Sequence, residues 1–138
     1  EGIVVIRPED VQVPAAPLYV EYVKKVTEYR IHVVNGAVIF AQAKKKRAGF
    51  EQDADDKLIR NYENGWVFCP VELGEVPANA QATAINALAA LELDFGAVDL
   101  VIGRGDGIPY FLEVNTAPGI ESPTLKEAYK NAFSAMVT

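Results

Sequence analysis

Along the 138-residue chain the spacing of apolar positions changes several times, and each change predicts an element. Gly2 to Ile6 is a β-branched run, and Arg7 to Pro17 is rich in proline and acidic residues, which predicts a strand and then a loop. Leu18 to Val23 predicts a second strand. Between Val26 and Lys46 two β-branched runs flank Asn35-Gly36, a dipeptide suited to a two-residue hairpin turn because both residues tolerate positive φ. Ala48 to Asn64 is polar, with Asp53, Asp55 and Asp56 close together, and predicts a long exposed loop or a loop with one helical turn. Gly65 to Val71 predicts a short strand. From Pro77 to Leu93, Ala84, Leu88 and Leu91 recur at helical spacing, which predicts a helix with one buried face. Ala97 to Ile102 and Ile108 to Asn115 form a strand pair across the turn residues Gly103 to Gly107. A final helix runs from Pro123 to Met136, started by Ser122-Pro123 or by a capping box from Thr124 to Glu127. The expected class is α+β: one antiparallel sheet with flanking helices.

Pairing arithmetic then places side chains. A turn at Asn35 and Gly36 sets Val34 against Ala37, so His32 faces Ile39, Arg30 faces Ala41 and Glu28 faces Ala43. Glu28, Arg30 and His32 share one face, while Tyr29, Ile31 and Val33 join Val38, Phe40 and Gln42 on the other, which reads as core. Charged residues opposite alanines leave volume for a ligand lying across the sheet; a solvated face with a cross-strand ion pair accounts for the pattern equally well. In the second pair, setting Ile102 against Ile108 puts Asp99, Glu113 and Asn115 on one face, among the apolar neighbours Val98, Leu100, Leu112 and Val114. Two half-buried carboxylates repel unless a cation compensates, and their oxygens suit Mg²⁺ or Mn²⁺. The alternative is an amphipathic strand whose polar face is simply wet.

Composition narrows the functions. Half the residues are apolar and 23% are charged, enough for one buried core and no room for two. Thirteen Lys plus Arg against 19 Asp plus Glu leave a net charge of −6, which disfavours a nucleic-acid or anionic-membrane partner and makes any phosphate contact local. Lys44, Lys45, Lys46 and Arg47 form the one basic cluster; strand parity turns Lys45 toward the site if no bulge intervenes, and a solvated charge run is the alternative. The single cysteine, Cys69, reads as a small buried hydrophobe, and a cytoplasmic setting is the default. His32, a lone histidine, reads as a surface residue, and Tyr62 and Trp66 fit a substrate entrance or simple packing.

Glu113-Val114-Asn115-Thr116-Ala117-Pro118-Gly119, preceded by Val98-Asp99-Leu100, resembles the metal-binding end of the ATP-grasp superfamily, as in D-alanine:D-alanine ligases and ribosomal-protein glutamate ligases. The resemblance implies that Asp99, Glu113 and Asn115 hold magnesium on the phosphates of ATP. Val20-Glu21-Tyr22-Val23 is similar to the family's adenine hinge, in which backbone groups of Glu21 and Val23, on either side of Tyr22, would bond the base. Glu28-Tyr29-Arg30 resembles its acid-x-Arg element, with Glu28 toward ribose and Arg30, the catalytic candidate, toward phosphate or the acyl intermediate. Arg60-Asn61 is similar to an Arg-Ser-Asn segment of the glutamate ligases, which directs Arg60 at phosphate or substrate. Together with Asn64 to Phe68 and Asp94 to Asp99, these residues look most like small ATP-grasp proteins, some of them encoded by bacteriophages. The resemblance implies ATP and Mg²⁺ (or Mn²⁺) as cofactors, carboxylate and amine substrates, and ADP-forming C–N ligation through an acylphosphate. It spans Gly2 to Gly119 and covers the second half of the family's catalytic unit, without the earlier lysines and glycine-rich flap. Residues 1–138 are therefore expected to be a C-terminal nucleotide- and metal-binding domain, partnered by a missing N-terminal half or a second copy. The alternative is a non-catalytic binding module or a structural remnant.

Overall fold

The computed structural model describes residues 3–50 and 58–138; Asp53, Asp55 and Asp56 of the expected loop, with Glu1 and Gly2, lie outside the described residues. Asn35 and Gly36 take φ of 49° and 74°, the left-handed pair that a two-residue turn requires, and they join β1 (Lys25–Val34) to β2 (Ala37–Lys46). The chain continues through β3 (Trp66–Val71), α1 (Ala78–Ala90), β4 (Phe95–Gly103), β5 (Pro109–Asn115) and α2 (Pro123–Met136). The five strands form one sheet in the order β3-β2-β1-β4-β5, with every neighbouring pair antiparallel.

Each helix covers part of a different sheet face. Ala80, Ala84 and Leu88, one turn apart on α1, are buried against Ile31, Val33, Ala41, Val98, Leu100 and Ile102. Burying a Leu, Ile or Val side chain fully is worth about 1.5–3 kcal/mol, so this layer is the main stabilising element. On the opposite face, α2 seats Leu125 and Tyr129 on Val34, with Phe40 and Ile120 at the margin. The start of α2 is the Ser122-Pro123 signal: Ser122 Oγ accepts from the Leu125 N–H at 3.2 Å, with proline in the first turn. Because α2 reaches only this end, no helix among the described residues covers the rest of its sheet face.

Three expectations change. Ile3–Ile6 and Leu18–Val23 are not strands; Val11 is 98% exposed and Val20 81% exposed, and among the described residues no strand pairs with this segment. β-branched residues favour a strand only where a ladder and a packed surface receive them. The hairpin register also shifts by one residue between His32 and Val33. Val34 faces Ala37 as expected, but beyond the shift His32 faces Phe40 and Arg30 faces Gln42. Ile39 is the extra residue, and it moves Phe40 and Gln42 off the core face and Ala41 and Ala43 onto it. In the second pair, Ile102 faces Pro109 rather than Ile108, and a further shift, with Leu112 extra, sets Asp99 against Glu113.

Candidate functional site

Arg30 lies near the middle of the uncovered face because β1 is the central strand, with Gln42 of β2 on one side and Asp99 of β4 on the other. Its Nε and Nη2 donate to Asp99 Oδ1 and Oδ2, each at 2.8 Å, a two-point fork. Its guanidinium also stacks 4.4 Å from the centre of the Phe68 ring of β3. The bond to Asp99 raises the Arg30 pKa above its ordinary value despite burial.

Toward β3 the face is cationic. Lys44 Nζ donates to Glu28 Oε1 at 2.6 Å and stands 5.0 Å from the Phe68 ring. Lys25 Nζ is 3.9 Å from Glu28 Oε2, and Arg60 Nη1 donates to the Val26 carbonyl at 3.2 Å while its guanidinium lies over Trp66. Burial lowers the Lys25 and Arg60 pKa values, Glu28 opposes the effect in both, and Arg60 and Lys44 push Lys25 down further. Toward β5 the face is acidic: Asp99 pairs with Glu113 and Ala97 with Asn115, so the three oxygen-bearing side chains share one side. Asn115 Nδ2 donates to Glu113 Oε1 at 3.3 Å.

The expected site residues are therefore partly gathered. Glu28, Arg30, Asp99, Glu113 and Asn115 stand on one face. Lys45 does not join them: the one-residue shift turns Lys44 inward and leaves Lys45 exposed. Glu21 and Tyr22 are exposed and Val23 half-buried, in the segment entering β1; the Tyr22 ring centre lies 5.7 Å from Lys25 Nζ. His32 is not a surface residue. It is fully buried under α2, with Nδ1 2.8 Å from Tyr129 Oη and Nε2 3.2 Å from Gln42 Oε1, and burial lowers its pKa. Cys69 is a half-buried free thiol opposite Ala43, while Tyr62 and Trp66 stack on Arg47 and Arg60. Sequence reasoning turned Lys45 rather than Lys44 toward the site and gave no role to Lys25 or Phe68; the pairing of β3 with β2 that sets Phe68 opposite Lys44 is tertiary and leaves no local signal.

Neither protein-family models nor curated proteins give a match to the sequence. Solved structures do. A Chryseobacterium gregarium RiPP-associated ATP-grasp ligase, in complex with ADP and a leader and core peptide, aligns with TM-score 0.54 and 20% identity over 84% of this chain and 34% of its own. The ATP-grasp ligase PsnB, complexed with a minimal precursor, aligns with TM-score 0.57 and 14% identity over 86% and 37%. The D-alanine–D-alanine ligase of Bacillus anthracis, complexed with ATP, gives 0.51 and 21% over 83% and 34%. The chain carries part of the ATP-grasp fold. It spans about a third of the length of these ATP-grasp ligases.

The donor chemistry of this ATP-grasp portion fits a hard cation. Among the described residues no three His, Cys, Asp or Glu side chains are gathered as a metal site. Yet magnesium is commonly held by one or two carboxylates, with substrate phosphates and water completing six oxygens. Asp99 and Glu113 supply that number, and Asn115 Oδ1 a third oxygen. Each Asp99 oxygen that accepts from Arg30 keeps a second lone pair.

Proposed function

We propose that the uncovered sheet face binds the triphosphate of ATP together with Mg²⁺ (or Mn²⁺), as the nucleotide- and metal-binding part of an ADP-forming carboxylate-amine ligase. One observation carries the reading: a cationic side (Lys25, Lys44, Arg60) and an oxygen-donor side (Asp99, Glu113, Asn115) flank Arg30 on one face. A triphosphate laid across Arg30 meets fixed donors on one side and a metal-binding edge on the other. In this reading the backbone at Glu21 and Val23, beside Tyr22, receives the adenine. Glu28 orients Lys44 through Oε1, and its Oε2, too far from Lys25 for a hydrogen bond, accepts a ribose hydroxyl. Arg30 and Lys44 hold phosphate oxygens, and Arg60 holds the substrate end.

A bound magnesium ion supplies neutralisation of charge on the transferring phosphoryl group. A carboxylate oxygen attacks the γ-phosphorus and the bond to ADP breaks, giving an acylphosphate; an amine then attacks the acyl carbon, phosphate leaves, and the amine proton passes to solvent. Arg30 steadies the phosphoryl oxygens through its fork. Peptide acceptors fit this scheme, since one ligase of like fold holds a leader and core peptide. The setting that goes with it is the cytoplasm.

A second reading is binding of nucleotide and metal without turnover. Calorimetric titration with a non-hydrolysable ATP analogue, with and without Mg²⁺, tests both. Magnesium-dependent binding supports the site, and ADP release with carboxylate and amine then separates ligase from binding module. Absence of binding removes the nucleotide assignment.

A further inference from the structure

The Arg30–Asp99 pair has a consequence for how the metal enters. Both Asp99 oxygens accept from Arg30 at 2.8 Å, and the Asp99 side chain is 9% exposed against 27% for Arg30. A buried acid stripped of its partner is strongly destabilising, so Asp99 is always held by some counter-ion. Glu113, the acid paired with Asp99 across β4 and β5, is exposed and accepts the longer 3.3 Å bond from Asn115. A divalent ion arriving alone therefore meets one neutralised carboxylate, one exposed carboxylate and an adjacent guanidinium that repels it.

On the nucleotide-and-metal reading above, we infer that Arg30 and the divalent ion are alternative counter-ions of Asp99. Arg30 withholds Asp99 from free metal, and the metal gains that carboxylate when triphosphate oxygens take over the Arg30 hydrogen bonds. Phe68 makes the exchange feasible. Its ring stacks on the same guanidinium at 4.4 Å, so Arg30 keeps that contact while its donors turn from carboxylate to phosphate. Metal and triphosphate binding are then coupled, and the coupling is reciprocal: each tightens the other.

The test is Mn²⁺ binding to the full chain without nucleotide, read from the electron paramagnetic resonance of the free ion. Arg30→Gln is expected to bind Mn²⁺ at least tenfold more tightly than the unsubstituted chain, the opposite of simple damage to a site. Arg30→Lys, which keeps the charge without the fork, is expected between the two. Adding Asp99→Asn to Arg30→Gln returns the affinity to the unsubstituted level, which a merely structural Arg30 would not do. Equal or weaker Mn²⁺ binding by Arg30→Gln overturns the proposal. If Arg30→Gln does not fold by itself, recovery of its circular dichroism on adding Mn²⁺ is the supporting result and no recovery is the overturning one. The nucleotide reading fails separately: tighter Mn²⁺ binding by the variant with no MgATP binding by the unsubstituted chain removes that reading and leaves the exchange at Asp99 standing.

Discussion

Removing the Tyr129 hydroxyl should weaken the fold by an amount that can be worked from one contact. His32 is fully buried, and its Nε2 faces Gln42 Oε1, an acceptor, which makes Nε2 the protonated nitrogen. Nδ1 must then accept, and the Tyr129 hydroxyl donates to it at 2.8 Å. Tyr129→Phe keeps the ring and its packing on Val34 but leaves a buried acceptor without a donor. The cost is about 1–3 kcal/mol, the penalty for an unmet buried hydrogen-bonding group. For a chain of this length, 1 kcal/mol is about 3–5 °C in Tm. The assay is urea unfolding followed by circular dichroism, in which the midpoint falls while the slope stays unchanged. A Tyr129→Phe midpoint equal to that of the unsubstituted chain would refute the assignment of this bond.

The same network sets a pH dependence. Burial holds the His32 pKa below its ordinary value, so the unfolded chain takes up the proton first as pH falls. Stability is therefore present above about pH 6.5 and declines as pH falls from there toward the folded-state pKa. Tyr129 acts at the other end. Burial pushes its pKa up to about 12, so the unfolded chain loses that proton first and stability declines as pH rises from about 10 to about 12. His32→Phe should flatten the decline just below pH 6.5, and an unchanged profile would show that other groups cause it.

Three further substitutions address the uncovered face. Lys44→Ala should cost about 1–3 kcal/mol, because it takes from the buried Glu28 its 2.6 Å partner and leaves the more distant Lys25, whereas exposed Lys45→Ala should stay within about 0.5 kcal/mol; equal urea midpoints would refute the shifted register. Glu113→Ala should abolish magnesium-dependent nucleotide binding in calorimetry with little change in thermal stability, because Glu113 is exposed; retained binding would remove it as a ligand. Arg30→Ala should weaken ATP at least about tenfold more than AMP, as loss of a charge-assisted hydrogen bond to the outer phosphates requires, and equal losses would place Arg30 elsewhere.

The elements that could be read from sequence are those fixed locally. Asn35-Gly36 dictates its own turn, the Ala84 and Leu88 spacing dictates the buried face of α1, and Ser122-Pro123 dictates the start of α2. What could not be read depends on partners distant in the chain. Ile3–Ile6 has strand composition and, among the described residues, no strand paired with it, and His32 has the look of a surface residue until α2 closes over it. Register lies between these cases. On the hairpin the turn gives the first pairs correctly, and the extra residue Ile39 then exchanges Ala41 and Ala43 for Phe40, Gln42 and Lys44 on the face of Arg30. On the second pair two departures cancel: Ile102 starts one residue out of the expected register, and the extra residue Leu112 adds another, so Asp99, Glu113 and Asn115 still share a face.

That cancellation explains what the extra residues do. Strand side chains alternate with a period of two, so one inserted residue reverses which face every later residue occupies. Had the register at Ile102–Pro109 and Leu100–Phe111 run on unchanged, Leu112 would stand opposite Asp99, and Glu113 and Asn115 would turn toward the α1 side of the sheet. Had the register at Val34–Ala37 run on, Ala43 rather than Lys44 would face Glu28. Neither insertion adds to the core, since Leu112 is 51% exposed and Ile39 only half-buried at its edge. Each instead re-aims charged or oxygen-bearing side chains of a strand flanking β1 and β4, β2 in one case and β5 in the other, toward Arg30 and Asp99. The polarity of the face, cations toward β3 and oxygen donors toward β5, is thus a product of register, and apolar patterning, which both parities satisfy about equally, carries little trace of it.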